Sequence, residues 1–595
     1  MNLRPATRDD AAQLFAWLNA PDRREASLVT RAEVAWVDHL TWLDARHSDP
    51  GSAMWIAEID GKAMGQVRLQ WADEGIEVSL YVAPEARRKG IGRTLLDHAA
   101  KASVQRWPGR SLRAKVRHGN AASLALFHRA GYQDVGRETD HYVLDHVPAA
   151  DNVPMPLRRF DRSLALHQRA LETIPTASQT FSKSSWNFVK GATPLMLERG
   201  AGARVWDVDG NDYVDYVMSL LAIVLGYRDA GVDRAIRAQL DRGISFSLAT
   251  DLEAALAERL RGLIPCAEMA RFAKNGSDAT SGAIRLARAH TGREKIALSG
   301  YHGWHDWYIG TTARRIGVPE AVQGLSVSFP YNDADALERL LTAEPDAYAA
   351  VILEPAGIEA PASGFLESVR ALTERFGVVL IFDEIITGFR ISLGGAQKHY
   401  GVVPDLACVG KAMGNGMPIS AVVGRAPLMR RMEDIFFSGT FGGETLSLTA
   451  ALATIDTLER EKGIARMHAL GARLKGALGR YLARHGLSSV YQATGPDWWP
   501  RLAAQPGERT PGPILQSLMQ QELAQRGVLI GAGLTLNLAL AHDHPAVEAM
   551  TLAAFDGAMA AVAEALARPD PAGALRGEPI RPIFQVRPIQ PAARA

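Results

Sequence analysis

Lys411 closes the apolar run Asp405-Leu-Ala-Cys-Val-Gly and opens a glycine-rich turn, Ala412-Met-Gly-Asn-Gly-Met-Pro418. An amine at the end of a buried strand can hold an aldehyde as a Schiff base. Upstream, Val378-Val-Leu-Ile-Phe runs into Asp383 and Glu384, so a second apolar strand ends in acid. A carboxylate there can face a pyridinium nitrogen. A lysine imine with a charged partner for the pyridine nitrogen is the arrangement that pyridoxal 5'-phosphate (PLP) requires.

Other segments supply the remaining contacts such a cofactor needs. Arg271-Phe-Ala-Lys-Asn275-Gly276-Ser277-Asp278 enters a predicted helix from Thr280 to Thr291. Gly276 permits close approach of a phosphate, and Ser277 can donate from its N–H and hydroxyl at the helix N-terminus. Taken alone, the segment reads as a Ser/Asp helix cap. In Gly300-Tyr301-His302-Gly303-Trp304-His305-Asp306 the histidines and aspartate invite a metal, but no further ligand cluster accompanies them. An aromatic residue before His-Gly is better explained by a ring stacked on a flat cofactor, with Tyr301 and His302 as the candidates. Ala349-Ala-Val-Ile-Leu-Glu354 is an apolar strand ending in acid at the sheet edge where open α/β sheets bind ligands. Phe437-Ser-Gly-Thr440-Phe-Gly-Gly-Glu444 is a second glycine-rich turn before a helix starting near Leu446. From about Phe181 onward strands alternate with helices, which predicts a mostly parallel sheet covered on both faces. A hairpin turning at Asp209-Gly210 precedes it.

A second chemistry-bearing pattern lies near the N-terminus. Ala53–Glu58 and Gly65–Trp71 read as paired strands around Asp60-Gly61, and Ile76–Val82 as another strand. That strand runs into Arg87-Arg88-Lys89-Gly90-Ile-Gly92, then an amphipathic helix from Arg93 to about Val104. Glycines let successive N–H groups and the helix N-terminus converge on an anion, and the cations reinforce them; a pyrophosphate is the natural ligand.

Arg87-x-x-Gly90-x-Gly92, with the later Asn120-Ala-Ala-Ser123-Leu-Ala-Leu-Phe127-His-Arg-Ala-Gly131-Tyr132, resembles the GNAT N-acetyltransferases over nearly all of residues 1–146. Leu3–Asp10 and the Val37–Leu43 helix look most like the subgroup acetylating amines on nucleotide-activated sugars. The resemblance implies acetyl-CoA as cosubstrate, held by Arg87, Arg88, Gly90, Gly92 and Asn120. Glu77 is the candidate base for the acceptor amine, and equally reads as a surface strand glutamate. Phe127 stands where many relatives carry a tyrosine acid, so either water or Tyr132 protonates the thiolate or the acyl transfer is slow.

From about Pro194 to Asp556 the chain resembles the class III aminotransferases, fold type I PLP enzymes, in particular glutamate-1-semialdehyde aminomutase and its relatives. The resemblance implies that Lys411 carries the cofactor and shuttles the α-proton, and that Asp383 keeps the ring nitrogen protonated. Gly276 and Ser277 would hold the phosphate, Tyr301 would stack on the ring, and Glu354 would share the pocket. Thr440 would reach the neighbouring subunit's phosphate, which makes a homodimer obligatory. The chain departs from the aminomutases at Ser184-Ser185-Trp186-Asn187-Phe188, where they carry an arginine for the substrate carboxylate. Lys183 and Lys190 are the nearest substitutes, though poorer clamps. Glu444-Thr445 replaces Asn-Pro. A hydroxyl-rich, uncharged substrate such as a sugar tolerates both changes, and Trp186 offers a face for its ring.

The 595 residues exceed one ordinary domain. The expected division is an acetyltransferase unit over 1–147, a linker over 148–162, an aminotransferase unit over 163–567 and a Pro/Arg/Ala-rich tail over 568–595, poorly ordered or strapped over the surface. The fold class is α/β in both units. With 66 basic and 65 acidic residues the net charge is +1, which offers no reason to expect a nucleic-acid partner. Cys266 and Cys408 sit in apolar surroundings and read as buried thiols. The N-terminus lacks a secretory apolar core, and the longest apolar stretch, near Val217–Gly226, falls short of the ~20 residues that span a bilayer. No membrane partner and a cytoplasmic location are therefore expected. The functional expectation is a bifunctional aminotransferase and N-acetyltransferase acting on amino or keto sugars of surface-polysaccharide or nonulosonate type. The alternatives are a glutamate-1-semialdehyde aminomutase-like enzyme with an accessory acyltransferase, or a PLP-binding regulator. The last lacks the basic helix-turn-helix such regulators carry.

Overall fold

The computed structural model describes residues 1–29, 31–148, 157–507 and 510–581. In the N-terminal unit, seven strands form one sheet in the order Asn2–Pro5, Ser52–Ile59, Lys62–Ala72, Gly75–Val82, Leu112–Arg117, His141–His146, Gln133–Arg137. Asp60 and Gly61 both take positive φ (51° and 73°), as a two-residue type I′ hairpin requires. Side chains alternate across the sheet. Val67, Leu69, Ile76 and Val78 pack in one core with Ile91, Leu95, Leu96 and Ala99 of the helix Ile91–Arg106. Gln66 and Arg68 fall on the other face. Gly75–Val82 and Leu112–Arg117 are the sheet's parallel pair, and they pair only at Ile76–Leu112 and Glu77–Arg113. Beyond Glu77 the strands separate, and a cleft opens between them.

The C-terminal unit is built on a second seven-stranded sheet. Its order is Met269–Ala273, Ser420–Gly424, Leu406–Val409, Val379–Glu384, Tyr348–Leu353, Lys295–Ser299, Ser326–Ser328. Only Ser420–Gly424 runs antiparallel to its neighbours. Tyr348–Leu353 and Val379–Glu384 are buried at every position. Unbroken apolar runs of this kind belong to strands covered on both faces. A four-stranded sheet follows the predicted hairpin, with Arg204–Asp207 and Asp212–Asp215 at its centre and Val528–Leu529 joined in parallel.

The two units are joined by more than the linker. Ala546 is buried within the N-terminal core, and Arg106 Nη2 reaches Asp212 Oδ2 at 2.8 Å. Arg204 pairs with the same oxygen. Burial works against the Asp212 carboxylate, but Arg106 and Arg204 outweigh it and hold the group well below the usual carboxylate range. Asp212→Asn strands these guanidiniums without their anion. We expect a loss of about 3 kcal/mol, read as a lower urea midpoint, since breaking a buried ion pair from one side leaves its partner uncompensated.

Several boundaries differ from the sequence reading. The helix Asp161–Leu171 starts inside the expected linker, because its first N–H groups, Arg162 and Ser163, donate to the Asp209 carboxylate at 2.8 and 2.9 Å. That cap comes from a distant hairpin. Residues 149–156 of the linker and 582–595 of the tail lie outside the described residues. The rest of the tail is strapped down: Glu578 N donates to Lys190 O, Ile580 N to Ser517 Oγ, and Arg581 N to Trp186 O. Ile580 is buried beside Val189 and Ala192. Among the described residues, the helix Pro545–Leu566, longer than the Val217–Gly226 stretch, is long and apolar enough to cross a membrane by length and composition. Its Val547, Phe555, Ala558, Met559 and Val562 lie inside the protein core, packed against the helices Gly463–Arg484 and Gly512–Gln525.

The closing segment carries a titratable group whose protonation is linked to stability. His542 is buried and stacked on Tyr216 at 4.5 Å; its Nδ1 accepts from Ala539 N and its Nε2 donates to Asp215 O. Burial pushes it down from 6.5 to about 4. The unfolded chain therefore binds one more proton between those values. Stability is full above pH 6.5 and falls as pH drops through the window, by about 3 kcal/mol. Urea titrations from pH 7 to 4 should show this slope in wild type and a shallower one in His542→Gln.

Candidate active sites

Five loops leave the carboxyl edge of the C-terminal sheet and meet around a cavity of ≈ 320 Å³. This is where open α/β sheets place ligands. Lys411, Asp383, Glu354, Gly276, Ser277, Tyr301 and His302 all line it. Strand alternation sorts the two acids at the end of Val379–Glu384. Asp383 turns to the cavity, and Glu384 turns away to accept from Thr387 Oγ1, Ala396 N and Gln397 N.

Lys411 follows its strand with φ of +40°, a conformation that costs a non-glycine residue about 1–3 kcal/mol. The turn is held by Asn415, whose Oδ1 accepts from Val224 N and Leu225 N at 3.0 and 2.9 Å and whose Nδ2 donates to Gly226 O. Among the described residues the Lys411 ammonium makes no hydrogen bond or ion pair. Burial pushes it down, against the pull of Glu354 and Asp383. Burial and the Asp383 charge push Glu354 up, and its Oε2 accepts from Tyr301 N at 2.8 Å.

Asp383 Oδ2 lies 2.8 Å from His302 Nδ1, and Asp383 Oδ1 accepts from Ile385 N at 3.2 Å. His302 is buried, parallel to Trp307, and its Nε2 has no partner among the described residues. Its neighbour His305 points elsewhere, 2.6 Å from Ser281 Oγ. The helix after Ala273 begins at Gly276 instead of Thr280. Asn275 is its cap, with Asn275 N donating to Asp278 Oδ2 at 2.8 Å. That leaves the Gly276 and Ser277 N–H groups in the first turn, without helical partners. A Cβ on Gly303 would overlap Ser277 Oγ, and one on Gly276 would press on Ile385 at 3.1 Å.

The N-terminal cleft measures ≈ 1550 Å³ and is lined by Arg87, Arg88, Gly90, Gly92, Asn120 and Glu77. Gly90, at φ +81°, caps the helix Ile91–Arg106, and Arg88 also takes positive φ (62°). Arg87 is ion-paired with Asp22. Asn120 caps the helix Ala121–Arg129 through Ser123 N. Glu77 Oε1 accepts from Lys115 Nζ at 2.7 Å across the splayed strands. Phe127 lines the cleft, but Tyr132 does not; it is buried beside Phe127 at 4.9 Å, and its hydroxyl has no partner among the described residues. Burial pushes that phenol above its ordinary range, so Tyr132 is removed as an acid in this geometry.

The class-III aminotransferase family matches residues 188–493. The chain belongs to that family. The acetyltransferase (GNAT) family matches residues 12–132, so the N-terminal unit is a GNAT domain. The chain is 40% identical over 347 residues to a 3-aminobutyryl-CoA aminotransferase of Cloacimonas acidaminovorans, covering 57% of this chain and 82% of that one. It is 38% identical over 355 residues to a glutamate-1-semialdehyde 2,1-aminomutase of Pelotomaculum thermopropionicum, covering 56% and 81%. Among solved structures, the FumI protein of Sphingopyxis sp. MTA144 aligns with a TM-score of 0.64 at 30% identity, over 69% of this chain and 99% of that one.

As a class-III aminotransferase the chain carries residues that fit PLP. A lone buried amine, a buried acid, free first-turn N–H groups and glycine cradles surround one cavity. The sequence reading missed Asn415, although a Gly-Asn-Gly turn signals left-handed backbone. It also missed Arg390, buried with its guanidinium on Leu538 O and Leu221 O and pushed by burial down to about 10.

Other segments singled out in the sequence lie away from this cavity. Thr440 is exposed and does not line its own chain's cavity. The next helix N-terminus is already capped by Glu444, which accepts from Leu446 N, Ser447 Oγ and Lys274 Nζ. Lys190 is paired with Glu578, and Lys183 Nζ lies 3.4 Å from Ser219 Oγ. The Trp186 ring lies beside Phe181 (5.5 Å) and under the Arg314 guanidinium (5.5 Å). The face assigned to a sugar therefore meets a cation from a segment the sequence reading did not connect to it. Both thiols are buried; burial pushes Cys266 up to about 12.

Proposed function

We propose that this chain transfers an amine to a carbonyl compound at Lys411 and acetylates an amine with acetyl-CoA in the N-terminal cleft. The observation that carries it is the unpartnered Lys411 ammonium in one cavity with Asp383 and the Gly276-Ser277 helix start. When bound there, PLP supplies an aldehyde for the lysine and a ring that accepts electrons. Lys411 binds and then moves the proton at the reacting carbon. A depressed ammonium suits that work, because a base acts best near the ambient pH. Asp383, steadied by His302, keeps a negative charge against the ring nitrogen. Gly276 and Ser277 orient the phosphate. In the other cleft, Arg87, Arg88, Gly90, Gly92 and Asn120 seat the cosubstrate, and Glu77 holds the amine proton once Lys115 yields.

The acceptor carbonyl we propose is a keto sugar, supported by the absence of an arginine in Ser184–Phe188 and by the pairing of Lys190 with Glu578. A second reading, an anionic carbonyl compound, is supported by the relatives the chain resembles. Glutamate semialdehyde and a CoA thioester, from the names of relatives, are its candidates. We further propose a homodimer in which Thr440 serves the other subunit's cofactor. The turn is flanked by exposed Phe436 and Phe441, and the adjoining segment exposes Phe246 and Leu248. Apolar patches of this kind mark interfaces.

The test is a product mass spectrum from keto sugars, glutamate-1-semialdehyde and an acyl-CoA ketone, each with an amino donor and acetyl-CoA. Amination plus acetylation of a keto sugar supports the leading reading. Turnover of only the anionic compounds overturns the sugar assignment, and no amination of any overturns the whole.

A further inference from the structure

The N-terminal cleft contains a cation that no group among the described residues satisfies. Arg68 lies on Lys62–Ala72, on the face opposite the core, directly across from Ser79. Its guanidinium sits 5.2 Å over the Trp42 ring. Among the described residues it makes no ion pair and no hydrogen bond, and its Nε is buried without a partner. Beside it Gln66 Oε1 is also buried without a partner. Both side chains line the cleft.

The surrounding charges leave this part of the cleft positive. Arg23 Nη2 donates to Ser79 Oγ at 3.1 Å and makes no ion pair among the described residues. Arg46 is held by Asp49 and Gln70. The nearby carboxylates are engaged: Glu77 by Lys115, Asp49 by Arg46, and Asp22 by Arg87. Asp38 also lines the cleft, on the exposed side of the helix Trp36–Ser48. Burial and the neighbouring Arg46 and Arg23 push Arg68 down to about 10. A half-buried guanidinium without an anion is costly to the folded protein. These groups stand on a different wall from Gly90 and Gly92, so the cosubstrate's pyrophosphate loop does not account for them.

We propose that Arg68, with Arg23, binds an anionic group on the amine that the N-terminal unit acetylates, while Gln66 Oε1 accepts from an N–H or O–H of the same compound. The amine is thus a carboxylate or phosphate compound, and not a neutral one. This rests on the acetyltransferase reading of the cleft. The planar fork of Arg68 suits either anion, and Trp42 holds the fork in plane.

The experiment uses the full chain saturated with CoA, so that the pyrophosphate loop is filled. Binding of O-phosphoethanolamine, β-alanine and ethanolamine is followed by tryptophan fluorescence. We expect saturable binding of an anionic amine and at least tenfold weaker binding of ethanolamine. Arg68→Gln should weaken the anionic amine about 10- to 100-fold, the loss expected of a charge-assisted contact, while Arg68→Lys keeps part of it. Tighter binding of O-phosphoethanolamine than β-alanine identifies phosphate as the anion, and the reverse identifies carboxylate. Equal binding of all three amines, or equal binding by wild type and Arg68→Gln, overturns the proposal. Fluorescence and CoA affinity of the Arg68→Gln variant establish that it is folded. If anions bind through Arg68 but acetyl-CoA yields no acetylated amine, the anion site stands and the acetyltransferase reading fails.

Discussion

Lys411→Ala abolishes amine transfer, lowering kcat by more than about 10⁴-fold, the upper range of a general acid–base contribution, with the covalent tether lost as well. The cavity contains no second amine placed to replace it: the other lysine on its wall, Lys274, is held by Glu444 at 3.0 Å. The variant should still bind PLP through Asp383 and the Gly276-Ser277 N–H groups. After borohydride treatment, wild type should carry the cofactor on the Lys411 peptide and the variant on none. A labelled peptide at any other lysine, or residual activity above one part in a hundred, would remove Lys411 from its role. Acetylation in the N-terminal cleft should be unaffected, since that cleft is built from other strands.

The second large effect is at Asp383. Asp383→Asn keeps the shape and a hydrogen bond to His302 while removing the negative charge opposite the ring nitrogen. A preorganised charge of this sort contributes about 10²–10³ in kcat. His302 lies between Trp307 and Tyr308 (ring distances 6.1 and 5.5 Å) and is fixed by Thr280 Oγ1 on its carbonyl at 2.9 Å, so Asp383 has a rigid neighbour. The variant should retain bound cofactor with an altered absorption spectrum, whereas Asp383→Glu should recover part of the rate. Activity of Asp383→Asn within about tenfold of wild type would place the charge requirement elsewhere.

The two expectations stand on residues that could be read directly from the chain. Lys411, Asp383 and Glu354 each end an unbroken apolar run, and such runs become parallel strands whose ends lie on one edge. The glycines at 276, 303, 90 and 92 mark places where backbone must approach something closely. What failed to show was every contact made from a distance. Asp209 caps the helix at Asp161, Arg314 covers Trp186, and Lys190 is paired with Glu578. None of these pairs shares a local pattern. Tyr132 looked available as an acid because its position follows the expected motif, but the fold buries it behind Phe127.

Sequence alone determined the class of chemistry and the two-unit plan, because strand termini, turn glycines and apolar periodicity are local properties with one geometrical outcome. Tertiary structure alone decided which charges remain free. Arg68 and Lys411 are two among many cations along the chain, and only the folded arrangement leaves both facing a cavity while others are matched to a carboxylate. Pairing is a property of space, set by where the sheets splay and the loops return, and no spacing along the chain encodes it.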